Sequence, residues 1–423
     1  MADPFSQDDP GPAVAADAGD PGPLNPRTPW LSIIGIGEDG LPGLTPASRD
    51  ALDAAEVVFG GARHLELARA GERGRPWPLP FAVEPVLALR GRRVAVLASG
   101  DPFWHGAGGS LAAHLAPGEW QVFPAPSTFS LAAARLGWRL EETQCIGLHA
   151  APFARLRPHL AQGAQIVALL RDGVAVAELA AWLTDQGFGP ATLHVMEALG
   201  GPRERIRSLS ADGSVPRGIT APVSVAISAR MAERPENPGL PRSPGLPDRA
   251  FAHDGQITKR RIRALTLAAL APRNGELLWD IGAGSGSVSV EWCLAGGRSF
   301  AIEQHPDRAA NIRANAAAFG VDHRLAVIAG AAPDALATLP RPEAVFIGGG
   351  GNEALLHALW LATPPGTRLV ANAVTLETEA LLALWHGAKG GELIRIELAE
   401  ATPLGRMRGW TAWRPVVQWS VTR

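Results

Sequence analysis

The residues best suited to chemistry lie between Leu277 and Glu303. Leu277-Leu-Trp-Asp-Ile281 is a short apolar run carrying an acid near its end, the pattern of a buried strand. Gly282, Gly284 and Gly286 follow in a tight turn, and Ser285 or Ser287 can cap the helix that carries Val288 and Val290. Such a turn brings backbone N–H groups close to a ligand, because no Cβ stands in the way. Ser299-Phe-Ala-Ile-Glu303 predicts a second strand ending in a carboxylate, suited to accept hydrogen bonds from both ribose hydroxyls of an adenosine ligand.

The spacing narrows the ligand. A dinucleotide loop needs a glycine where Ser287 stands. Gly-x-Gly-x-Gly behind Asp280 instead resembles the loop of S-adenosyl-L-methionine (SAM) methyltransferases, whose ligand has no pyrophosphate to neutralise, and Ala283 and Ser285 fall within it. Gly330-Ala-Ala-Pro333 ends the next predicted strand, so Ala331 and Ala332 face the adenine and leave room for a flat base; a plain strand-to-helix turn is the other reading. Phe346-Ile-Gly-Gly-Gly-Gly351 ends the fourth strand with a glycine run that supplies no packing, where substrate approaches the methyl group.

These segments sit on a regular alternation of strands and helices. From Lys259 onward the pattern predicts a doubly wound parallel sheet, including helices over 307–319 and 333–339. Two late strands, near Leu393–Leu398 and Val416–Val421, lack a helix between them and predict an antiparallel edge. The first half is also α/β and predicts two lobes with a break near residue 140, with a helix expected over 153–160. Its first strand runs into Gly35-Ile-Gly-Glu-Asp-Gly40, a literal dinucleotide fingerprint. The next helix starts only at Thr45-Pro46, so Leu41-Pro-Gly-Leu44 separates the glycines from the helix and no pyrophosphate site is assembled.

The expected domains are a disordered Ala/Asp/Gly/Pro tail over 1–29 without the pattern of an export signal, a first domain over 30–231, a stiff Pro-rich linker over 232–254 with no core, and a second domain over 255–423. A net charge of −2 argues against a nucleic-acid or anionic-membrane surface. No apolar run approaches the ~20 residues that cross a bilayer. Cys145 and Cys293 are the only cysteines, which suits a reduced, cytoplasmic protein without a disulfide frame, and His105, His253 and His305 have no partner at metal-ligand spacing, so no metal is expected.

Four further groups stand out, and three of them keep two readings. Gly100-Asp-Pro102 and Pro126-Ser-Thr128 follow strands in the first half; Asp101 is either a helix N-cap or part of a ligand loop. Lys259, Arg260, Arg261 and Arg263 are either a solvated helix face or a site for an anionic substrate. Arg406 and Arg408, beside glycines in a late loop, carry the same alternatives.

Gly35–Gly40, Ser99–Pro102 and Pro126-Ser-Thr-Phe-Ser130 resemble the tetrapyrrole (corrin/porphyrin) methylase family. Asp254-Gly-Gln-Ile-Thr-Lys259, Asp280–Gly286, Gly330–Pro333 and Phe346–Gly350 resemble the decarboxylating precorrin methyltransferase domain. The resemblance covers residues 30–423 and implies a two-lobed tetrapyrrole-methylase-like domain followed by a Rossmann-like SAM methyltransferase domain. It implies SAM-dependent methylation of precorrin-6B at C5 and C15 with decarboxylation of the ring C acetate, giving precorrin-8 in cobalamin biosynthesis. C5 falls to the first domain, and C15 with the decarboxylation to the second. It makes Thr258 a SAM contact beside Gly282–Gly286, Glu303 and Ala331–Ala332, and it gives Gly100, Asp101, Pro102, Ser127 and Thr128 a second SAM. An anionic tetrapyrrole would engage Lys259, Arg406 and Arg408, and a homo-oligomer is expected.

The meso carbons of a reduced macrocycle are enamine-like nucleophiles, so the protein mainly holds the reactants in line and excludes water. No residue stands out as the proton carrier. The rival reading is an RNA methyltransferase domain joined to a non-catalytic docking module; it needs a basic, aromatic face that the charge balance does not offer.

Overall fold

A computed structural model describes residues 29–233 and 239–423. Residues 1–28 of the tail expected over 1–29, and the prolines at 235 and 238, lie outside the described residues. The chain forms two compact units, one ending at Gly239 and one beginning at Leu240.

The first unit carries two five-stranded sheets. β1 (Leu31–Ile36), β2 (Val57–Gly60), β3 (Gly74–Pro76), β4 (Val94–Ser99) and β5 (Trp120–Phe123) form an all-parallel sheet in the order β3-β2-β4-β1-β5. Leu31 and Ile33 belong to one buried cluster and Ile34 and Ile36 to another, so both faces of β1 are covered and its sequence reads as a continuous apolar run. β6 (Gln144–Gly147), β7 (Gln165–Leu170), β8 (Thr192–Glu197), β9 (Arg205–Ser210) and β10 (Val223–Ser228) form the second sheet, ordered β6-β7-β10-β8-β9 and mostly antiparallel. The break near residue 140 therefore separates two lobes. Thr45 caps the helix Pro46–Ala54 by accepting from Ser48 N, and a 3-10 turn at Leu41–Gly43 precedes it, which keeps the glycines away from the helix start. The helix expected over 153–160 is a 3-10 helix, Phe153–His159, because Pro158 inside it has no N–H to donate.

The second unit is a seven-stranded sheet. β11 (Leu277–Ile281), β12 (Arg298–Glu303), β13 (Leu325–Ala329), β14 (Ala344–Ile347) and β15 (Arg368–Ala373) are parallel in the order β13-β12-β11-β14-β15. β19 (Val416–Thr422) pairs antiparallel with β15, and β16 (Glu392–Ile396) pairs antiparallel with β19. This is the expected Rossmann-like sheet with an antiparallel edge. Between β16 and β19 an exposed hairpin, β17 (Ala399–Leu404) and β18 (Met407–Ala412), replaces the loop expected there. The helix expected over 333–339 shrinks to a 3-10 turn, Asp334–Leu336.

The Pro-rich segment is not a spacer throughout. Leu246 and Phe251 are buried in the same cluster as Leu278, Val290 and Phe346. Arg263, fully buried, donates from Nε to Glu291 (2.6 Å) and from Nη1 to Asp248 (3.2 Å), and also bonds the carbonyls of Leu246 and Thr258. Glu291 in turn accepts from Gly245 N (2.6 Å) and Leu246 N (2.9 Å). Apolar side chains alternating with prolines thus strap residues 240–258 onto the second core. Arg263 belongs to neither reading of the basic cluster: it is internal and paired.

Candidate functional site

The carboxyl ends of β11, β12, β14 and β15, the loop after β13, and the strap residues Gln256–Lys259 surround a cavity of about 530 Å³. Parallel strands place their loops on one edge of the sheet, which is where ligands collect in such folds. Thr258, Lys259, Gly282, Ala283, Gly284, Glu303, Ala331 and Ala332 all line it, as do Gly348–Gly350. Arg406, in the hairpin turn, and Arg408, on β18, are exposed and are not among its lining residues.

Glycine is required at Gly282 by contact as well as by conformation. Its φ is +66°, and a Cβ there would stand 2.6 Å from the carbonyl oxygen of Gly349. The loops after β11 and β14 therefore touch, and any side chain at Gly282 would push apart the cavity floor. Gly286 (φ +69°) ends the turn as N-cap of the helix Ser287–Leu294 and makes no side-chain cap, so neither Ser285 nor Ser287 plays that part. Asp280 does it from the strand: its Oδ2 accepts from Ser289 N (3.2 Å) and Ser289 Oγ (2.6 Å). Ser285 lies beneath the loop, 2% exposed, with its carbonyl accepting from Asn315 Nδ2 at 2.8 Å.

Two acids in this region do different work. Asp280 is fully buried, and burial pushes its pKa up to about 6; the Ser289 hydrogen bonds oppose that rise and the charge of Glu303 adds to it. Glu303 accepts from Gly284 N (2.9 Å) on one carboxylate oxygen and from His305 N (3.0 Å) on the other. Each oxygen keeps a lone pair, and the pair is aimed and locked before any ligand arrives. A vicinal diol presents two O–H donors to such a carboxylate. With a glycine cradle and small Ala331 and Ala332 lining the same cavity, these groups fit the ribose and flat base of SAM. Arg308, also lining, is held by Asp254 at 2.8 Å.

The first unit has its own cavity, about 380 Å³, at the ends of β2, β4 and β5. Ser127 and Thr128 line it; Ser127 also caps the helix Thr128–Leu136, accepting from Ser130 N at 3.1 Å. Gly100, Asp101 and Pro102 do not line it, although Ser99 and Trp104 on either side do. Gly100 (φ +56°) packs against the Pro126–Ser127 backbone, and Asp101 accepts from Phe103 N (2.8 Å), making a local turn rather than a helix cap. Trp77, Phe81, Trp104 and Phe129 supply flat apolar walls. His64 bonds Ser99 Oγ (2.7 Å) and Arg63 (3.0 Å), and burial, helped by the Arg63 charge, lowers its pKa to about 4.

Sequence reasoning missed His64 and the aromatic walls, which become neighbours only through the sheet order. It also missed Asn372, which lines the larger cavity from the end of β15. The available signal was a lone polar residue inside Leu369-Val-Ala-Asn-Ala373.

Comparison with known proteins agrees with both halves. Residues 31–212 match the tetrapyrrole (corrin/porphyrin) methylases, and residues 249–423 match the precorrin methyltransferase domain. The chain is 48% identical over 403 residues to a precorrin-6Y C(5,15)-methyltransferase (decarboxylating) of Sinorhizobium, covering 94% of this chain and 97% of that one. It is 40% identical over 404 residues to the protein of the same name from Mycobacterium tuberculosis, covering 93% and 100%. The crystal structure of the C-terminal domain of precorrin-6Y C5,15-methyltransferase from Rhodobacter capsulatus is 63% identical, covering 44% of this chain and all of that one with a TM-score of 0.43. By identity and coverage along both halves, the chain belongs to the decarboxylating precorrin-6Y C5,15-methyltransferase family.

Proposed function

We propose that the two units are separate SAM-dependent catalysts acting on one anionic tetrapyrrole, precorrin-6B, to give precorrin-8. The second, over 255–423, methylates C15 and removes the ring C acetate carboxyl; the first, over 30–231, methylates C5. The observation that carries this reading is the pre-aimed carboxylate of Glu303 beside the Gly282–Gly284 loop, with a second strand-end cavity in the first unit.

SAM supplies a methyl group on a cationic sulfur. The chain's own part is to hold the ribose on Glu303, the base beside Ala331–Ala332, and the donor end toward Gly348–Gly350, with Thr258 and Lys259 on the strap above. In the first unit Ser127 and Thr128 face the cavity, while Gly100–Pro102 shape the loop beneath it. The aromatic walls there suit a flat macrocycle. Lys259 is the cavity cation best placed for a substrate carboxylate; Arg406 and Arg408 would meet substrate from the hairpin. Leu404, Met407 and Trp410 on that hairpin are each about 70–80% exposed, which supports a homo-oligomer that covers them. Among the described residues no helix is long and apolar enough to cross a membrane, and the reading assigns a cytoplasmic enzyme with no nucleic-acid partner.

Calorimetric titration of the full chain with SAM tests it. Two sites per chain are expected, falling to one in Glu303→Ala. A single site that survives Glu303→Ala would remove the second unit from the reaction. Mass analysis of the product from precorrin-6B then reads two added methyl groups and one lost carbon dioxide.

A further inference from the structure

Asn372 is held in a closed triangle of hydrogen bonds. Its Nδ2 donates to Thr266 Oγ1 at 3.0 Å, Gln418 Nε2 donates to the same oxygen at 3.1 Å, and Gln418 Nε2 donates to Asn372 Oδ1 at 2.9 Å. Thr266 and Gln418 are buried, 0% and 3% exposed. Thr266 has one hydroxyl proton and cannot donate to both amides, so it accepts from both, and this fixes which way each amide faces. One N–H and one carbonyl lone pair of Asn372 remain, on a residue that lines the cavity. Such second-layer support is what holds a binding group to a single geometry.

Its surroundings differ from those of the cofactor end. Glu303 ends β12 and Asn372 lies at the end of β15, with β11 and β14 between them. Three strand spacings put them roughly 14 Å apart. The cavity residues from the elements beside Asn372 are the apolar Ile262, Leu355, Val374 and Val416, with the neutral Asn352 capping the helix that carries Leu355. Of the charged and titratable lining groups, Glu303, His305 and Arg308 come from the end of β12 and the helix after it, and Lys259 is the exposed N-cap of the helix that carries Ile262 and Thr266.

We propose that Asn372 seats the substrate acetate whose carboxyl group is lost as carbon dioxide. This rests on the decarboxylating role given above to the second unit. In the step, the bond between the acetate methylene and its carboxylate breaks and carbon dioxide leaves. The bonding electron pair moves into the conjugated, protonated ring imine, and the methylene carbon then takes a proton from water to become a methyl group. The carboxylate is fully charged at the start and its charge is dispersed at the transition state. An Arg or Lys partner would stabilise the starting anion most and raise the barrier. A neutral amide orients the group with far less of that cost, and apolar walls keep away the water whose hydration would stabilise the starting carboxylate and raise the barrier.

The test uses the full chain with substrate labelled at the acetate carboxyl, in single-turnover experiments, with SAM titration alongside. Asn372→Ala is expected to slow carbon dioxide release ~10–100-fold, with SAM affinity of the Glu303 site within about twofold of the unaltered chain. Asn372→Asp is expected to be slower still at pH 8, where its charge repels the acetate carboxylate. Carbon dioxide release unchanged by Asn372→Ala, or lost in step with SAM affinity, would overturn the assignment. So would an Asn372→Asp chain that released carbon dioxide at pH 8 as fast as the unaltered one. If the unaltered chain released no carbon dioxide, the decarboxylating role of the second unit would fall, and this assignment with it.

Discussion

The strap over 240–258 depends on one buried ion pair, and Arg263→Met should release it. Arg263 is completely buried, with Glu291 at 2.6 Å and Asp248 at 3.2 Å, and it also bonds the carbonyls of Leu246 and Thr258. Methionine fills similar space but leaves Glu291 charged, buried and held only by Gly245 N and Leu246 N. Removing one partner of a buried pair costs about 3–5 kcal/mol, because the other charge stays behind uncompensated. That corresponds to roughly two to four decades of amide protection. Hydrogen exchange at Gly245 and Leu246 reads it directly, since both amides donate to Glu291. Adding Glu291→Gln removes the stranded charge and keeps an acceptor for the strap amides. The double variant should therefore recover all but about 1–2 kcal/mol of the loss. SAM binding by the second unit should weaken in the single variant, because Thr258 loses the bond that anchors its carbonyl. A single variant costing under about 1 kcal/mol, or a double variant costing the sum of both changes, would refute the argument.

Glu303→Gln should weaken SAM binding by roughly 10–150-fold, the worth of about 1.5–3 kcal/mol for one lost charge-assisted hydrogen bond. The glutamine NH2 would also oppose either Gly284 N or His305 N, both of them donors; unchanged affinity by calorimetry would show that the ribose lies elsewhere. Glu197 in the first unit should make that unit acid-sensitive. Burial acts to raise its pKa, but the Arg205 side chain, the Thr220 N–H and Arg207 prevail and bring it from 4.5 down to about 2. A pKa lower in the folded state gives stability that is full above the unfolded value of 4.5 and is lost as pH falls from 4.5 toward 2. The urea midpoint should fall over that window, and Glu197→Gln should flatten the fall; identical slopes in both proteins would remove Glu197 as its cause.

What the sequence could reveal about this fold was whatever is local. The apolar run Leu277–Ile281 and the glycines behind it need only their own neighbours to be read, and the strand and its tight glycine turn lie where they predict. The alternation of strands and helices in the second half gave its parallel sheet for the same reason, with the antiparallel edge betrayed by a missing helix, whereas the mostly antiparallel sheet β6–β10 of the first unit was not read from it. Contacts set by strand order were not legible. Asn372, Thr266 and Gln418 lie far apart in the chain and meet only because β19 inserts beside β15. The hairpin β17–β18 escaped notice because it is exposed on both faces and so carries no alternation. The strap was hidden by composition: proline density suggests a spacer, and the decisive residues, Leu246 and Phe251, are single apolar side chains within it.

Charge was the most misleading signal, and the reason is physical. A chain with lysine only at Lys259 and Lys389 must use arginine both for structure and for any cationic contact, so residue type alone does not separate the two. Geometry does. Arg263 closes on Glu291 and Asp248, Arg205 and Arg207 close on Glu197, and Arg368 closes on Glu276 and the carbonyl of Leu270. A planar fork suits such work, because several of its N–H groups can be satisfied at once in a space that excludes water. An ammonium brings its charge on a flexible stem and gives up strong hydration when buried. Lys259 follows that logic: it is exposed, it starts the helix above the cavity, and it carries no ion pair among the described residues. An exposed cation at the rim can draw in an anionic macrocycle without fixing any one carboxylate, whereas a neutral, rigid Asn372 in an apolar corner can fix one without holding its charge. A decarboxylating site needs that division, since the same cation moved to the acetate would favour the group it must lose.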